Sequence, residues 1–498
     1  MLRHLFQRWA LAACVVCLGT SPSAQTVTLR FPDGSFEVSG PLLSFDGAAY
    51  RVETRFGVLT IAADQVECEG DCPALGDAPI IRLAGAPAVA DVLLPSLVDA
   101  FARSLGVASA PVAVNGSIGL ALVAGEGREI ARFEIAPMPT AEAFAAMARG
   151  GADIVLADRP VTEGERQAIL DAELGDVAAP LRRRMIARQR LGFFAAEDVA
   201  LPSLTVAQLL ALTRPGAAWA DVGGPEVAVS LGAEAGFEEA ATARLAELAE
   251  IVGVEAGRLI GDAAPNALLA TSSPLSPISL SHGCEPGSAD GAEGDAYPLM
   301  LHFWAYTAAP RLPDLGRAFL IFAGGPDAQR VVDRAGFIDK RPRPIPLAAQ
   351  GDRIARAVTE LSAELSFDDL RGALERLRGY DRLSTVFRFA PGDRSLTAES
   401  RNEAASLADV LDAGRFDGRE LIFVGLTDST GPSEGNQRLS AARANRARDA
   451  VRAAMATQTD RVEMVAEGFG ELLPLACDAG AWGQHVNRRV EVWLGPEE

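Results

Sequence analysis

ELIFVGLTDSTGPSEGNQRLSAARANRARDAVRAAM, residues 420–455, runs from an unbroken apolar stretch through a Ser-Thr-Gly-Pro turn into a periodic, arginine-rich segment. The first part reads as a buried strand and the part from Asn436 to Met455 as a helix. Advanced at about 100° per residue, Leu439, Ala447, Ala450, Val451 and Ala454 fall on one stripe, with Arg438, Arg446, Arg448 and Arg452 outside it. Arg443 falls inside that stripe. A guanidinium on the core-facing side of a helix is costly unless a carboxylate or a bound anion satisfies it. Asp428, which ends the strand just before the turn, is the local candidate. Two readings follow: a structural Asp428–Arg443 salt bridge, or an acid and a base facing one cleft.

Around this unit the pattern is a compact βαβαββ domain over residues 381–498. It has strand STVFRF, a helix from Thr397 to Ala413 stopped by Gly414, strand ELIFVGL, the arginine-rich helix, and strands VEMVAEG and RRVEVWL. Thr397 fits an N-cap and Gly414 the left-handed position past a helix end. Upstream, KRPRPIP (residues 340–346) cannot be helical and reads as a semi-rigid spacer. A helical pattern from Asp352 to Gly379 follows, giving a spacer and linker helix over residues 341–380. Residues 77–340 alternate strand and helix patterns and form an α/β part. Residues 25–76 hold short alternating segments separated by Asp33-Gly34, Asp46-Gly47 and Gly57, a small antiparallel β module. The fold class is therefore multidomain α/β, as 498 residues already require, since one hydrophobic core rarely spans that length.

Residues 1–24 have a basic start, an apolar stretch from Trp9 to Leu18 and small residues ending at Ala24, the plan of a secretory signal. Leu11-Ala12-Ala13-Cys14 has the form of a lipobox, but few apolar residues precede it. Forty-six basic against 66 acidic side chains give a net charge of −20, which disfavours a nucleic-acid partner. Lys340 is the single lysine and reads as a composition effect without functional weight. Of the four cysteines beyond the signal, Cys68 and Cys72 bracket CEGDC and are the expected disulfide. Cys284 and Cys477 stay open between free thiols and a bridge. No Walker loop, HExxH or GxSxG elbow occurs, and SHGCE (residues 281–285, with His282, Cys284 and Glu285) reads as a plain loop, so no catalytic residue, metal or cofactor is assigned.

The strings TDSTG (427–431), Asn436, LSAARA (439–444), GFGELLP (468–474) and NRRVEVWL (487–494) resemble, in order and in register over residues 383–494, the OmpA-like peptidoglycan-binding domain. The resemblance implies that Asp428 takes the ammonium of diaminopimelate from the wall peptide, that Arg443 takes its carboxylate, and that Asn436 braces the loop or bonds the ligand. An Arg fork suits a carboxylate. Asn487, Arg488 and Arg489 match the family's terminal motif, with a solvated or strand-pairing role equally open. Leu426 stands where many members place histidine, and Cys477 with Trp482 occupy an unusual loop.

The stretches IRLAGAPAVADVLLPSLVDAFA, GGADIVLADRPVTEGE, LTVAQLLALTRPGAAWADVGGP, AYPLMLHFWAYT and FAGGPDAQRVVDRAGFI resemble the substrate-binding proteins of phosphate-type ABC importers. That implies a periplasmic-binding-protein-like domain of two α/β lobes with a small oxyanion between them. The sequence departs from the family where its phosphate loops should be. Gly85-Ala86-Pro87-Ala88 lacks hydroxyls, Ala157 precedes Asp158-Arg159, and LGAEAGFEE (231–239) lacks a Gly-Ser-Gly-Thr type loop. Each lost hydrogen bond to a charged ligand is worth roughly 1.5–3 kcal/mol, so phosphate binding is expected to be weak or absent. Gly85 and Arg159 remain weak anion-site candidates, with Arg159 paired to Asp158 as the alternative. The expectation is a non-enzymatic periplasmic envelope protein, tethered to peptidoglycan on the outer-membrane side. An importer component working with a permease, or a scaffold contacting envelope proteins, is the rival for the middle domain.

Overall fold

The computed structural model describes residues 26–497 apart from 33, 35, 46–48, 56, 71, 73–77, 200, 256, 258, 260–264, 274, 282–295, 309–311, 360–363, 391–394 and 458–460. Residues 1–24, read above as a secretory signal, and His282, Cys284 and Glu285 thus lie outside the described residues. Two compact units are formed, Met1–Pro79 and Ile80–Glu498. No helix among the described residues is long and apolar enough to cross a membrane.

In the first unit, β1 (Thr26–Arg30), β2 (Glu37–Phe45), β3 (Ala49–Thr54), β4 (Gly57–Ala62) and β5 (Glu67–Gly70) form an antiparallel sheet in the order β4-β3-β2-β1-β5. Alternation puts Val27, Leu29, Val38, Tyr50 and Val52 inside. Cys68 and Cys72 are joined by a disulfide, as expected.

The second unit begins with β6 (Ile80–Gly85), β7 (Ala108–Val114), β8 (Ser117–Ala124), β9 (Arg128–Pro137), β10 (Ile154–Ala157) and β11 (Arg183–Arg190). The chain then builds a separate sheet from β12 (Gly192–Ala195), β13 (Ser203–Thr205), β14 (Leu231–Ala233), β15 (Ala267–Ala270) and β16 (Ser276–Ser281), before β17 (Met300–Thr307) returns to the first. The orders are β11-β17-β10-β6-β9-β8-β7 and β13-β16-β12-β15-β14. Two sheets joined by two crossings make two lobes. At the first crossing Leu191 alone separates β11 from β12, and Tyr297 Oη donates to its carbonyl at 2.7 Å. The helices are α1 (Pro87–Ala90), α2 (Leu93–Ser104), α3 (Thr140–Ala148), α4 (Glu163–Asp171), α5 (Val206–Leu212), α6 (Glu238–Val252), α7 (Asp314–Gly324) and α8 (Pro326–Arg334). Thr162 with Glu165 and Thr205 with Gln208 close capping boxes at α4 and α5.

KRPRPIP is not a free spacer. Its residues Pro344–Pro346 form β18, which pairs with β19 (Asp381–Phe387) at the edge of a third sheet, where proline is tolerated. Helices α9 (Gly351–Thr359) and α10 (Phe367–Arg376) follow in place of one continuous helix. Then come α11 (Ala398–Asp412), β20 (Glu420–Leu426), α12 (Ser433–Ala454), β21 (Glu463–Gly468), α13 (Ala481–Asn487) and β22 (Arg489–Leu494), with sheet order β18-β19-β22-β20-β21. Thr397 caps α11, its Oγ1 accepting from Ser400 N at 3.2 Å, and Gly414 has φ +75°.

The buried face of α12 differs from the stripe read in the sequence. It consists of Asn436, Ser440, Ala444, Ala447 and Val451, while Leu439 is half-buried and Ala454 exposed. Close approach sets this face: a Cβ on Gly425 would lie 1.9 Å from the Ser440 carbonyl oxygen, and one on Gly468 2.5 Å from Ala441 N. Small side chains let the helix backbone sit against β20 and β21, and this outweighs the larger apolar surface of Leu439. Arg443 is thereby turned to the margin of the buried face.

The C-terminal sheet and its helices pack on both lobes. Helix α11 covers β11, the edge strand of the first lobe, where Asn402 Oδ1 accepts from Met185 N at 3.0 Å and Arg188 meets Glu403 at 3.3 Å, both nearly buried. Helix α13 packs on α6 of the second lobe, and Trp482 and Val486 join the apolar cluster that holds Leu245 and Leu248. The unusual Cys477–Trp482 segment is therefore the contact with the second lobe.

Candidate functional site

Strand β20 delivers Asp428 to the rim of the C-terminal sheet, and the turn that follows is fixed around it. Asp428 Oδ1 accepts from Thr430 N at 3.1 Å. Asn436, buried at the start of α12, donates from Nδ2 to the Asp428 carbonyl oxygen at 3.3 Å and to Glu471 Oε1 at 3.1 Å. Asn436 thus braces the loop from within the protein.

The other oxygen of Asp428 is taken by Arg488 Nη1 at 2.5 Å, not by Arg443. The Asp428 side chain is 10% exposed and that of Arg488 40%. Arg443 forms no ion pair with Asp428, and its buried Nε and Nη1 have no hydrogen-bond partner among the described residues. Its guanidinium carbon lies 5.5 Å from the Phe389 ring centroid. Burial first, then the nearby Arg488, lowers the Arg443 pKa, and Asp428 opposes both. A cavity of about 290 Å³ opens beside Arg443, lined also by Phe389, Leu439, Ala442, Asn445, Arg446 and Asp449; Asp428 lies outside this lining. The sealed Asp428–Arg443 bridge that the sequence also allowed is absent. What the fold presents is a held carboxylate, a second arginine on it, and a desolvated guanidinium with donors unspent.

Of the terminal motif, Asn487 accepts from Leu475 N and Ala476 N and donates to Asp478 Oδ1, clamping the loop that precedes α13. Asp478 in turn accepts from Ser429 N, next to Asp428. Arg489 is fully buried with Glu491 at 2.8 Å, and Arg353 reaches the same carboxylate at 3.0 Å. Burial pushes Glu491 up, but Arg353, Arg489 and Arg382 outweigh it and hold the carboxyl down at about 2. Arg489 is therefore a core charge, and Arg488 the motif residue at the site. Leu426 is buried among apolar side chains with Trp493. Cys477 is in a disulfide.

In the middle lobes, Gly85 is buried at the end of β6, where a Cβ would meet the Leu156 carbonyl oxygen at 2.8 Å, and its own carbonyl accepts from Met138 N. Arg159 pairs with Glu165 through two bonds of 2.9 and 2.7 Å and with Glu239 at 3.1 Å, rather than with Asp158. Burial works against the Arg159 charge, but these two carboxylates outweigh it. Asp158 accepts from Thr140 Oγ1 at 2.7 Å, and burial raises it to about 6. No local pattern marks Glu239 as a partner of Arg159, because it lies 80 residues away on the other lobe. No cluster of three or more metal-ligating side chains occurs among the described residues.

Residues 388–488 match the family model described as OmpA family, and this part of the chain is an OmpA-family domain. Outer membrane porin F of Pseudomonas aeruginosa is 37% identical over 106 residues, 21% of this chain and 29% of that protein. The putative lipoprotein YfiB of Escherichia coli is 36% identical over 115 residues, 22% of this chain and 66% of that protein. This chain thus spans under a third of the porin's length and about two thirds of the lipoprotein's. An ABC-type phosphate transport receptor from Vibrio cholerae is similar in structure over 52% of this chain and 99% of its own, at 13% identity and a TM-score of 0.36.

Proposed function

We propose that this protein is a non-enzymatic component of the periplasmic envelope that grips peptidoglycan with its OmpA-family domain. Asp428 takes the ammonium and Arg443 the carboxylate of diaminopimelate in the wall peptide, while Asn436 holds the loop. One observation carries the reading: Arg443 is desolvated, with Nε and Nη1 unpartnered among the described residues, although an aspartate lies close enough to act on it electrostatically. A half-buried cation whose Nε and Nη1 are kept in this state gains most from a bidentate anion. The ammonium then competes with Arg488, whose exposed side chain can leave, for the carboxylate of Asp428. The outer-membrane and lipoprotein relatives of this domain support an envelope setting.

Co-sedimentation of the purified chain with isolated peptidoglycan tests the proposal. Wild type is expected in the pellet, and Asp428→Ala and Arg443→Ala in the supernatant. Undiminished retention of both variants would rule out this site. For the middle lobes, the capture of Arg159 by two glutamates favours an envelope scaffold over a phosphate carrier serving a permease. A small anion retained in native mass spectrometry would reverse that preference.

A further inference from the structure

Between the lobes, Glu239 reaches from the first turn of α6 in the second lobe to the first lobe. Its Oε2 accepts from Ala141 N, in the first turn of α3, at 3.2 Å and from Arg159 Nε at 3.2 Å, with Arg159 Nη2 at 3.1 Å. Arg159 is 10% exposed and Glu239 34%. A helix N-terminus and an arginine converging on one carboxylate make up an anion-binding arrangement. Here the anion belongs to the chain. Just before α6, Gly236 lies against the first lobe, where a Cβ on it would be 3.8 Å from Ala88 N. The lobes therefore meet with the carboxylate between them.

The remaining charges agree with this. Arg159 already has a full bidentate partner in Glu165, which also closes the capping box of α4. Asp158 lies next to Arg159, and Glu239 is one of the charges acting to raise its pKa. At the position Glu239 occupies, an incoming oxyanion would meet the Arg159 guanidinium together with the carboxyl groups of Asp158, Glu165 and Glu239. The C-terminal domain adds a brace, since α11 binds the first lobe and α13 the second.

We infer that Glu239 is a tethered substitute for a solute: it fills the anion position between the lobes, keeps them closed without a ligand, and excludes small oxyanions until it is removed. This rests on the two-lobed architecture and not on the wall-peptide site, so either can fail without the other. Removing the carboxylate withdraws one competing negative charge in either variant, and truncation to alanine also frees the Ala141 N–H and one side of Arg159.

The test is calorimetric titration of the full mature chain with inorganic phosphate, for wild type, Glu239→Ala and Glu239→Gln. Wild type is expected to give no binding at micromolar phosphate, and the variants to bind phosphate at least tenfold more tightly than wild type, with a matching phosphate-dependent rise in melting temperature. Should Glu239→Ala not fold, Glu239→Gln, which keeps the size and one acceptor for Ala141 N–H, carries the comparison, with circular dichroism and peptidoglycan retention as measures of its fold. Micromolar phosphate binding by wild type, or the same phosphate affinity in wild type and a folded variant, would overturn the inference.

Discussion

Arg488 holds Asp428 at 2.5 Å, and Arg443, the residue fifteen positions along from that aspartate, does not. The acid is thus held and oriented by an exposed arginine, and the half-buried arginine is left with donors to offer. On the proposed function this would be an exchange site: one ion pair is already made, and it is built from a side chain that can swing into solvent.

Replacing Arg443 by lysine separates charge from geometry. Arg443→Lys keeps a cation but loses the planar fork. It is expected to weaken peptidoglycan retention about tenfold, or ~1.4 kcal/mol. Asp428→Asn keeps the size and the acceptor for Thr430 N but not the charge that attracts an ammonium, and should weaken retention by at least as much. Sedimentation against increasing wall concentration reads both. Equal retention of Arg443→Lys and wild type would mean that the guanidinium fork is not used.

Gly425 links packing to the site. An added Cβ meets the Ser440 carbonyl oxygen, a backbone atom that moves only with α12. Gly425→Ala should therefore cost roughly 1–3 kcal/mol in unfolding by denaturant and displace the helix that carries Arg443. Wall retention should fall in the folded fraction as well. Loss of stability with full retention would show that Arg443 tolerates movement of its helix.

Much of this was legible in the sequence. The Cys68–Cys72 pair, the Thr397 cap and the run β19, α11, β20, α12, β21 follow from short-range rules that the chain obeys, whereas α13, which the βαβαββ reading lacks, separates β21 from β22. The buried face of α12 was not, because helical periodicity weighs apolar side chains, whereas Gly425 and Gly468 select for small ones. Asp428 and Arg443 could be singled out by charge and spacing, but Arg488 could not be placed above its neighbour Arg489. One bonds the site and the other enters the core, and only the path of α13 into β22 decides between them. Glu239 and the packing of Trp482 on the second lobe are long-range contacts that no local pattern encodes.

Glu491 predicts how the C-terminal domain responds to acid. Its folded pKa, about 2, lies below the ordinary glutamate value, so its contribution to stability is present above about pH 4.5 and is lost as pH falls toward 2. Glu491→Gln leaves Arg353 and Arg489 buried without their carboxylate, at a cost of about 3–5 kcal/mol at neutral pH. Thermal unfolding followed at Trp493, whose Nε1 donates to Glu491, should show the variant melting well below wild type at pH 7 and close to it near pH 2. A gap that stays constant with pH would mean that packing, not charge, sets the loss.

Lys340 gives the opposite sign. The single lysine of the chain is 3% exposed, its N–H bonded to Gln329 Oε1, where the first lobe meets α11. Burial lowers its pKa to about 8 despite the pull of Glu403, and Arg184 and Arg188 add to the lowering. Between pH 8 and 10.5 the unfolded chain binds the proton more readily than the folded one, so stability rises with pH across that window. At pH 7 the folded protein carries a desolvated ammonium at a cost of up to about 3 kcal/mol. Lys340→Met, close in length and without the charge, should melt higher than wild type at pH 7, and its advantage should shrink as pH rises from 8 to 10.5. Calorimetry of both proteins at pH 7, 9 and 10.5 reads the trend. If the variant melts lower at pH 7, Glu403 depends on the ammonium beyond the bond it receives from Arg188, and Lys340 is a working part of the contact between lobe and C-terminal domain, not the neutral by-product of an arginine-rich composition that the sequence suggested.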